Sequence, residues 1–195
     1  MPDIQNKARV VIIGGGVVGT HSVQIALGMG ANVYVLDRSI DALKLLGREF
    51  GNRLNTIYST AATIEEHVLS ADLVIGGVLV PGATAPKLVT AEHIRAMKAG
   101  SVVVDVAIDQ GGCFETSHAT THQDPTYVVH DVVHYCVANM PGAVPITSTH
   151  ALNNATLPFI LKLADHGVKK TLKEDQHLRN GLNIHKGAVT CEGVA

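Results

Sequence analysis

A chain of 195 residues with 46% apolar side chains suffices for one domain with a buried α/β core, or for one domain and a piece of a second. Its net charge of −2, without any basic cluster, argues against nucleic acid as a partner, and no apolar stretch has the length of a membrane span. Three cysteines, Cys113, Cys136 and Cys191, lack C-x-x-C spacing, which fits a reducing cytoplasm better than secretion.

Residues 1–8 are polar and lead into an apolar run, Val10 to Ile13, that reads as a strand. The Val10–Val18 stretch resembles a signal-peptide core only in hydropathy; its glycines fit a strand–turn–helix. Gly14, Gly16 and Gly19 match G-x-G-x-x-G. The first glycine permits a tight turn, the second lets a pyrophosphate approach the backbone, and the third brings helix and strand together. The helix that follows offers free N–H groups and a positive dipole end to an anion. Val18, Ser22, Ile25, Ala26 and Met29 are spaced to share one face of it, with a stop near Gly28 and Gly30.

A second strand, Val33 to Leu36, ends in Asp37, 21 positions after Gly16. A carboxylate there accepts hydrogen bonds from adenine-ribose hydroxyls, which selects NAD over NADP. The neighbouring Arg38 is a candidate for a 2′-phosphate, but Asp37 would repel that group. Ser39 is a predicted N-cap for a helix carrying Ile40, Leu43, Leu46 and Phe50. Leu54 to Tyr58 reads as a short strand leading to Ser59, followed by a helix about Ile64 to Leu69. The continuous apolar run Leu73 to Val78 predicts a strand buried on both faces. Pro81, Gly82 and Pro86 break the chain, Thr90 caps a helix with Ile94 and Met97, and Ser101 to Val106 is another buried strand. This alternation calls for a Rossmann-type, doubly wound, mainly parallel sheet with helices on both faces. In such sheets ligands bind beyond the carboxyl ends of the strands, a rim that includes Asp109.

Farther on, Tyr127 to His130 and Tyr135 to Ala138 read as strands at the sheet's far end, and Thr147 to Ala164 as a long helix, with a kink expected at Pro158 and a stop at His166-Gly167. The last 28 residues read as a weak helical stretch and a tail. Residues 1–145 are thus expected to form the nucleotide-binding domain and 146–195 a C-terminal helical extension. The pairs His118/His122 and His130/His134 have no carboxylate or cysteine framework, so no metal is assigned. Cys113 reads as a small buried thiol, since no base is placed beside it. Asp109 is either a turn cap or a reactive carboxylate, with Gly111 and Gly112 letting a flat ring lie close to the backbone.

The run Ala107-Ile108-Asp109-Gln110-Gly111-Gly112-Cys113-Phe114-Glu115 resembles the alanine dehydrogenase family, as do Ala71 to Gly76, Val78 to Ala83, Ala85 to Val89, Val137 to Pro141 and Ala164 to Gly167. The resemblance covers nearly the whole chain. Nicotinamide nucleotide transhydrogenases share the architecture but typically lack the Asp-Gln-Gly-Gly loop. The resemblance implies reversible NAD-linked oxidation of L-alanine to pyruvate and ammonium: hydride passes from Cα to nicotinamide C4, and water adds to the imine with acid–base help. The family's catalytic aspartate falls on Asp109. Its cofactor contacts fall on the glycine turn, Asp37, Ser59, Val78, Leu79, Val106, Ala107, Ile108, Asp109, Val137, Ala138, Asn139 and Met140. Family members are about twice as long and typically hexameric, and their N-terminal half supplies an arginine, a lysine and a histidine to the substrate. None of that half is in this sequence, and the resemblance implies that the long helix from Thr147, with the segment 146–195, would pack on that substrate domain. His118 stands where some members have an arginine, and Lys162 replaces a carboxylate able to pair with His166. The expectation is a homo-oligomeric, cytoplasmic NAD-binding portion that meets L-alanine or pyruvate only when complemented by a substrate domain. The alternatives are an inactive stand-alone NAD-binding module or one piece of a split enzyme.

Overall fold

The structure, a computed structural model, describes residues 7–78 and 85–191. Contacts divide the described residues into two compact units, residues 7–78 with 85–138, and residues 139–191.

The first unit is built on strands β1 (Arg9–Ile13), β2 (Asn32–Asp37), β3 (Leu54–Tyr58), β4 (Leu73–Gly76), β5 (Val102–Asp105), β6 (Thr126–Val129) and β7 (Val132–Tyr135), in the order β3-β2-β1-β4-β5-β7-β6. All neighbours run parallel except β6, which pairs antiparallel with β7. Helices α1 (Val17–Gly28) and α2 (Ile40–Phe50) cover one face, where Val10, Ile12, Val33 and Val35 meet Val23, Ala26, Leu43 and Leu46. Helices α3 (Ala61–Leu69) and α4 (Ala91–Ala96) cover the other, where Val11, Ile13, Val74 and Val103 meet Ile64, Val68 and Ile94. Residues alternate between the two clusters along each strand, as the pleat requires. Each fully buried aliphatic side chain contributes about 1.5–3 kcal/mol. The doubly wound, mainly parallel sheet expected from the sequence is therefore present.

Local starts follow the expected chemistry. Ser39 Oγ accepts from Ala42 N at 3.2 Å and caps α2. Thr90 caps α4 through His93 N, and His93 Nδ1 accepts from Thr90 N in return. One detail adds to the expectation and one differs from it. Helix α1 buries Gly19, Val23 and Ala26, whereas Ile25 and Met29 are exposed; the missing Cβ of Gly19 brings that side of the helix onto the strand. The last sheet strand is Val132–Tyr135 rather than 135–138, because His130 and Asp131 turn a tight hairpin with φ of 51° and 61°. Such left-handed pairs match the twist of hairpin strands.

At the amino edge of the sheet, Arg9 lies over Tyr34, its Cζ 3.9 Å from the ring centroid, and Nη2 donates to His67 Nδ1 at 2.8 Å. Asp72 accepts from Arg9 N at 2.7 Å and from Lys98 Nζ at 3.0 Å. Burial, together with the Arg9 charge, holds the His67 imidazole below its usual pKa.

The second unit contains α5 (Pro145–His166), α6 (Val168–Glu174), α7 (Gln176–Asn180) and a hairpin of β8 (Ile184–His185) and β9 (Ala188–Val189). Helix α5 keeps Pro158 in its interior and ends at Gly167, as its sequence predicts. The short hairpin stands where the sequence predicts only a tail. Asp175 Oδ1 accepts from His177 N and Leu178 N, while Oδ2 takes the Lys162 ammonium at 2.6 Å. The Lys162 hydrogen bond leads in holding the Asp175 carboxyl down at about 2. Among the described residues no helix is long and apolar enough to cross a membrane.

Candidate functional site

The parallel strands place the ends of β1, β2, β3, β4 and β5 on one rim, and most of the expected site residues of the first unit lie on it. Gly14 has φ of 106°, and a Cβ there would come within 2.8 Å of the Gly77 carbonyl oxygen. A Cβ on Gly19 would collide with the Gly14 carbonyl. Those two glycines hold the turn closed. Gly16 differs: nothing lies within 4 Å of the position of a Cβ. It is also the N-cap of α1, which has no side-chain cap and no acidic residue in its first turn. Open space over unspent N–H groups is what a pyrophosphate requires.

Asp37 leaves the end of β2 beside this turn. Its Oδ2 accepts from Gly15 N and its Oδ1 from Ser39 N, both at 2.6 Å. Each oxygen retains a lone pair for a further donor. Ser59 joins the group because β2 and β3 pair through Asp37 and Tyr58, and Ser59 N donates to the Asp37 carbonyl at 2.9 Å.

Across the rim, a pocket of about 250 Å³ is lined by Val18, Gly77, Val78, Val106, Ala107, Asp109 and Gln110. Asp109 is exposed at its wall, on a 3-10 turn that runs from Val106 to Gln110 after β5. It is the one ionisable side chain among the described residues lining this pocket. Ile108 is buried behind the turn instead of lining the pocket. Val137, just past the end of β7, is buried and bridges to Thr120, and Ala138 N donates to Thr120 O. Asn139, with φ of 58°, and Met140 belong to the second unit. Leu79 lies outside the described residues.

The loop carrying Asp109 is fastened by groups that sequence reasoning did not select. Asp105, wholly buried at the end of β5, accepts from Cys113 N at 3.0 Å and Phe114 N at 3.3 Å. Gly112 lets the chain pass, since a Cβ there would stand 2.5 Å from Asp105 Oδ2. Lys87 Nζ donates to the carbonyls of Gly111 and Phe114 at 2.5 and 3.0 Å. Burial first, then the Asp105 charge, drives the Cys113 thiol far above its usual pKa, so the thiolate needed for nucleophilic chemistry is suppressed. Val18, Gly77 and Gln110 were likewise not selected; the available signal was their position immediately beside the glycine turn, β4 and Asp109.

The histidine pairs separate by environment. His134 is buried, donates through Nδ1 to Val132 O at 3.0 Å and accepts at Nε2 from the Thr116 hydroxyl at 2.7 Å. Its partner in spacing, His130, is an exposed turn residue. Tyr127 stacks between His118 and His134, with ring centroids 3.7 and 4.9 Å away. Among the described residues no group of three His, Cys, Asp or Glu side chains is placed to hold a metal ion.

Residues 1–192 match the family described as alanine dehydrogenase/PNT, C-terminal domain. The chain is 60% identical over 188 residues to an alanine dehydrogenase of Halomonas elongata, covering 96% of this chain and 51% of that protein. It superposes with a TM-score of 0.85 on a solved L-alanine dehydrogenase, 52% identical, covering 96% of this chain and 52% of that one. A transhydrogenase from Sinorhizobium meliloti gives a TM-score of 0.72 at 28% identity, covering 95% and 50%. The chain thus spans about half the length of the relatives it matches. The glycine turn, the Asp37 carboxylate and the Asp109 loop occur here on the fold those relatives share, and the chain belongs to the alanine dehydrogenase/PNT family, within its C-terminal domain.

Proposed function

We propose that this chain binds NAD along the carboxyl rim of its sheet and serves as the cofactor-binding half of an alanine dehydrogenase. The observation that carries this reading is the geometry from Gly16 to Asp37: an open, uncapped helix start beside a carboxylate with accepting capacity left. Gly16 and the first turn of α1 hold the pyrophosphate, Asp37 accepts from the ribose hydroxyls, and Val78, Val106 and Ala107 pack against the nicotinamide. When bound, NAD supplies the acceptor for hydride at nicotinamide C4. Asp109 holds or takes a proton at the carboxylate facing the pocket, where water or an amine would sit.

Nothing cationic among the described residues of that pocket pairs with a substrate carboxylate. Uniform binding of cofactor gives no rate enhancement unless the amino acid is also positioned. The isolated chain is therefore expected to bind NAD and to turn over L-alanine negligibly; the cationic groups come from a substrate domain. Calorimetry with NAD, and NADH production with L-alanine, test the two halves of this statement. Absence of NAD binding overturns the cofactor reading, and robust turnover by the chain alone overturns the division of labour. The homo-oligomeric, cytoplasmic enzyme is the whole-protein counterpart of the same reading.

A further inference from the structure

Around the Asp109 loop, Asp105 takes the amides of Cys113 and Phe114, and Lys87 gives to two carbonyls. Gln110, the residue after Asp109, differs. Its side-chain oxygen Oε1 is buried and has no hydrogen-bond partner. A buried acceptor left unpaired forfeits its hydration without return, so a fold that keeps one calls for a reason.

The main chain at Gln110 is fixed. Its carbonyl accepts from Ala85 N at 2.8 Å. The turn closes just beyond, where Gly111 takes φ of 90° and donates to the Ile108 carbonyl at 3.0 Å. The side chain is half-buried, and Oε1 can leave its position without breaking any hydrogen bond of its own. It stands in the lining of the 250 Å³ pocket, where Val18, Val78, Val106 and Ala107 offer apolar surface to a flat ring. Two polar side chains join them, with different chemistry. Asp109 is a carboxylate and only accepts, so it suits an amine or a water. Gln110 carries one acceptor and one donor group, the complement of another carboxamide.

We infer that Gln110 binds the carboxamide of the nicotinamide ring of NAD. Its Oε1 turns from the buried position into the pocket and accepts from the carboxamide NH2, and its Nε2 donates to the carboxamide oxygen. This role rests on the cofactor reading above and adds to it the group that orients the ring. The turn relieves an unpaired acceptor, so a penalty carried by the free chain becomes part of the affinity for the ligand. A held carboxamide also fixes which face of the ring is presented to a substrate, and Asp109 stays available for the amine and water.

The test is titration calorimetry of the chain with NAD and with 3-acetylpyridine adenine dinucleotide, in which a methyl group replaces the carboxamide NH2. The parent should bind NAD about tenfold more tightly, the effect of one buried hydrogen bond kept or lost. Gln110→Met keeps the length of the side chain without its amide, and should bring the two nucleotides to within about twofold of each other. Gln110→Glu retains an accepting oxygen and should preserve the preference for NAD. Because Oε1 has no partner in the free chain, Gln110→Met should not lower the urea midpoint. Equal binding of both nucleotides by the parent, a preference that survives Gln110→Met, its loss in Gln110→Glu, or a lowered midpoint in Gln110→Met would each overturn the role of Gln110 and leave NAD binding in place. Binding of neither nucleotide overturns the cofactor reading, and this role with it.

Discussion

Gly15 donates its amide hydrogen to Asp37 Oδ2 at 2.6 Å, and this bond locks the turn after β1 to the end of β2 before any ligand arrives. The carboxylate is thereby aimed rather than merely present. Replacing Asp37 with alanine removes both the Gly15 and Ser39 bonds and the ribose acceptor. NAD affinity should fall by about 1–3 kcal/mol, and NADP should not be gained in compensation. Titration calorimetry with both nucleotides decides this; preference of the unsubstituted chain for NADP contradicts the assignment.

Gly19→Ala places a methyl group against the Gly14 carbonyl. Either α1 withdraws from the strand or the turn opens, at a cost of about 1–3 kcal/mol. The urea midpoint should drop and NAD binding weaken together. A Gly16→Ala control meets open space in the protein, so it should leave the midpoint nearly unchanged and weaken NAD binding alone.

Cys113 N and Phe114 N both donate to Asp105 Oδ2, so Asp105→Asn keeps one accepting oxygen but removes the charge that strengthens both bonds and places an amide NH2 in the buried position of the other oxygen. A loss of about 1–3 kcal/mol in stability is expected. Because the same clasp fixes the return of the Asp109 loop, Cys113 should react with a thiol reagent faster than in the parent. Unchanged thiol reactivity would show that the loop is held by Lys87 and the backbone without it.

Acid should destabilise the first unit. His67 accepts from Arg9 at Nδ1 and His134 accepts from Thr116 at Nε2, so both are neutral in the fold, and burial depresses both below the ordinary 6.5. A depressed folded value means that the unfolded chain binds protons first. Stability is complete above about pH 6.5 and declines as pH falls below it. Melting temperatures between pH 7.5 and 5 should decrease, with a shallower slope in the His67→Gln, His134→Gln chain.

The central strands were legible as unbroken apolar runs, as in Leu73 to Ile75 and Val102 to Val104, although only the face carrying Val74 and Val103 is fully buried. Ser39 and Thr90 were legible as caps because capping is local chemistry. The inner face of α1 was not. That helix is apolar nearly all round, so spacing alone could not choose Gly19, Val23 and Ala26 over Ile25 and Met29. The β7 register was missed because His130-Asp131 carries no glycine or asparagine to announce left-handed turn residues. The clasp between Asp105 and Cys113 joins groups eight positions apart through a loop, and no periodicity reports it. Asp37 stood out because it ends β2, and Asp109 because it lies on the short turn that follows β5.

The cluster of Arg9, Tyr34, His67, Asp72 and Lys98 sits at the opposite end of the strands from Asp37 and Asp109. Arg9 Nε is buried there without a partner, so that edge is not fully optimised. A neighbouring acceptor introduced to meet it would raise the melting temperature without reaching the ligand. Thermal tolerance and nucleotide affinity are thus adjustable at separate ends of one sheet, and selection can act on each without trading against the other.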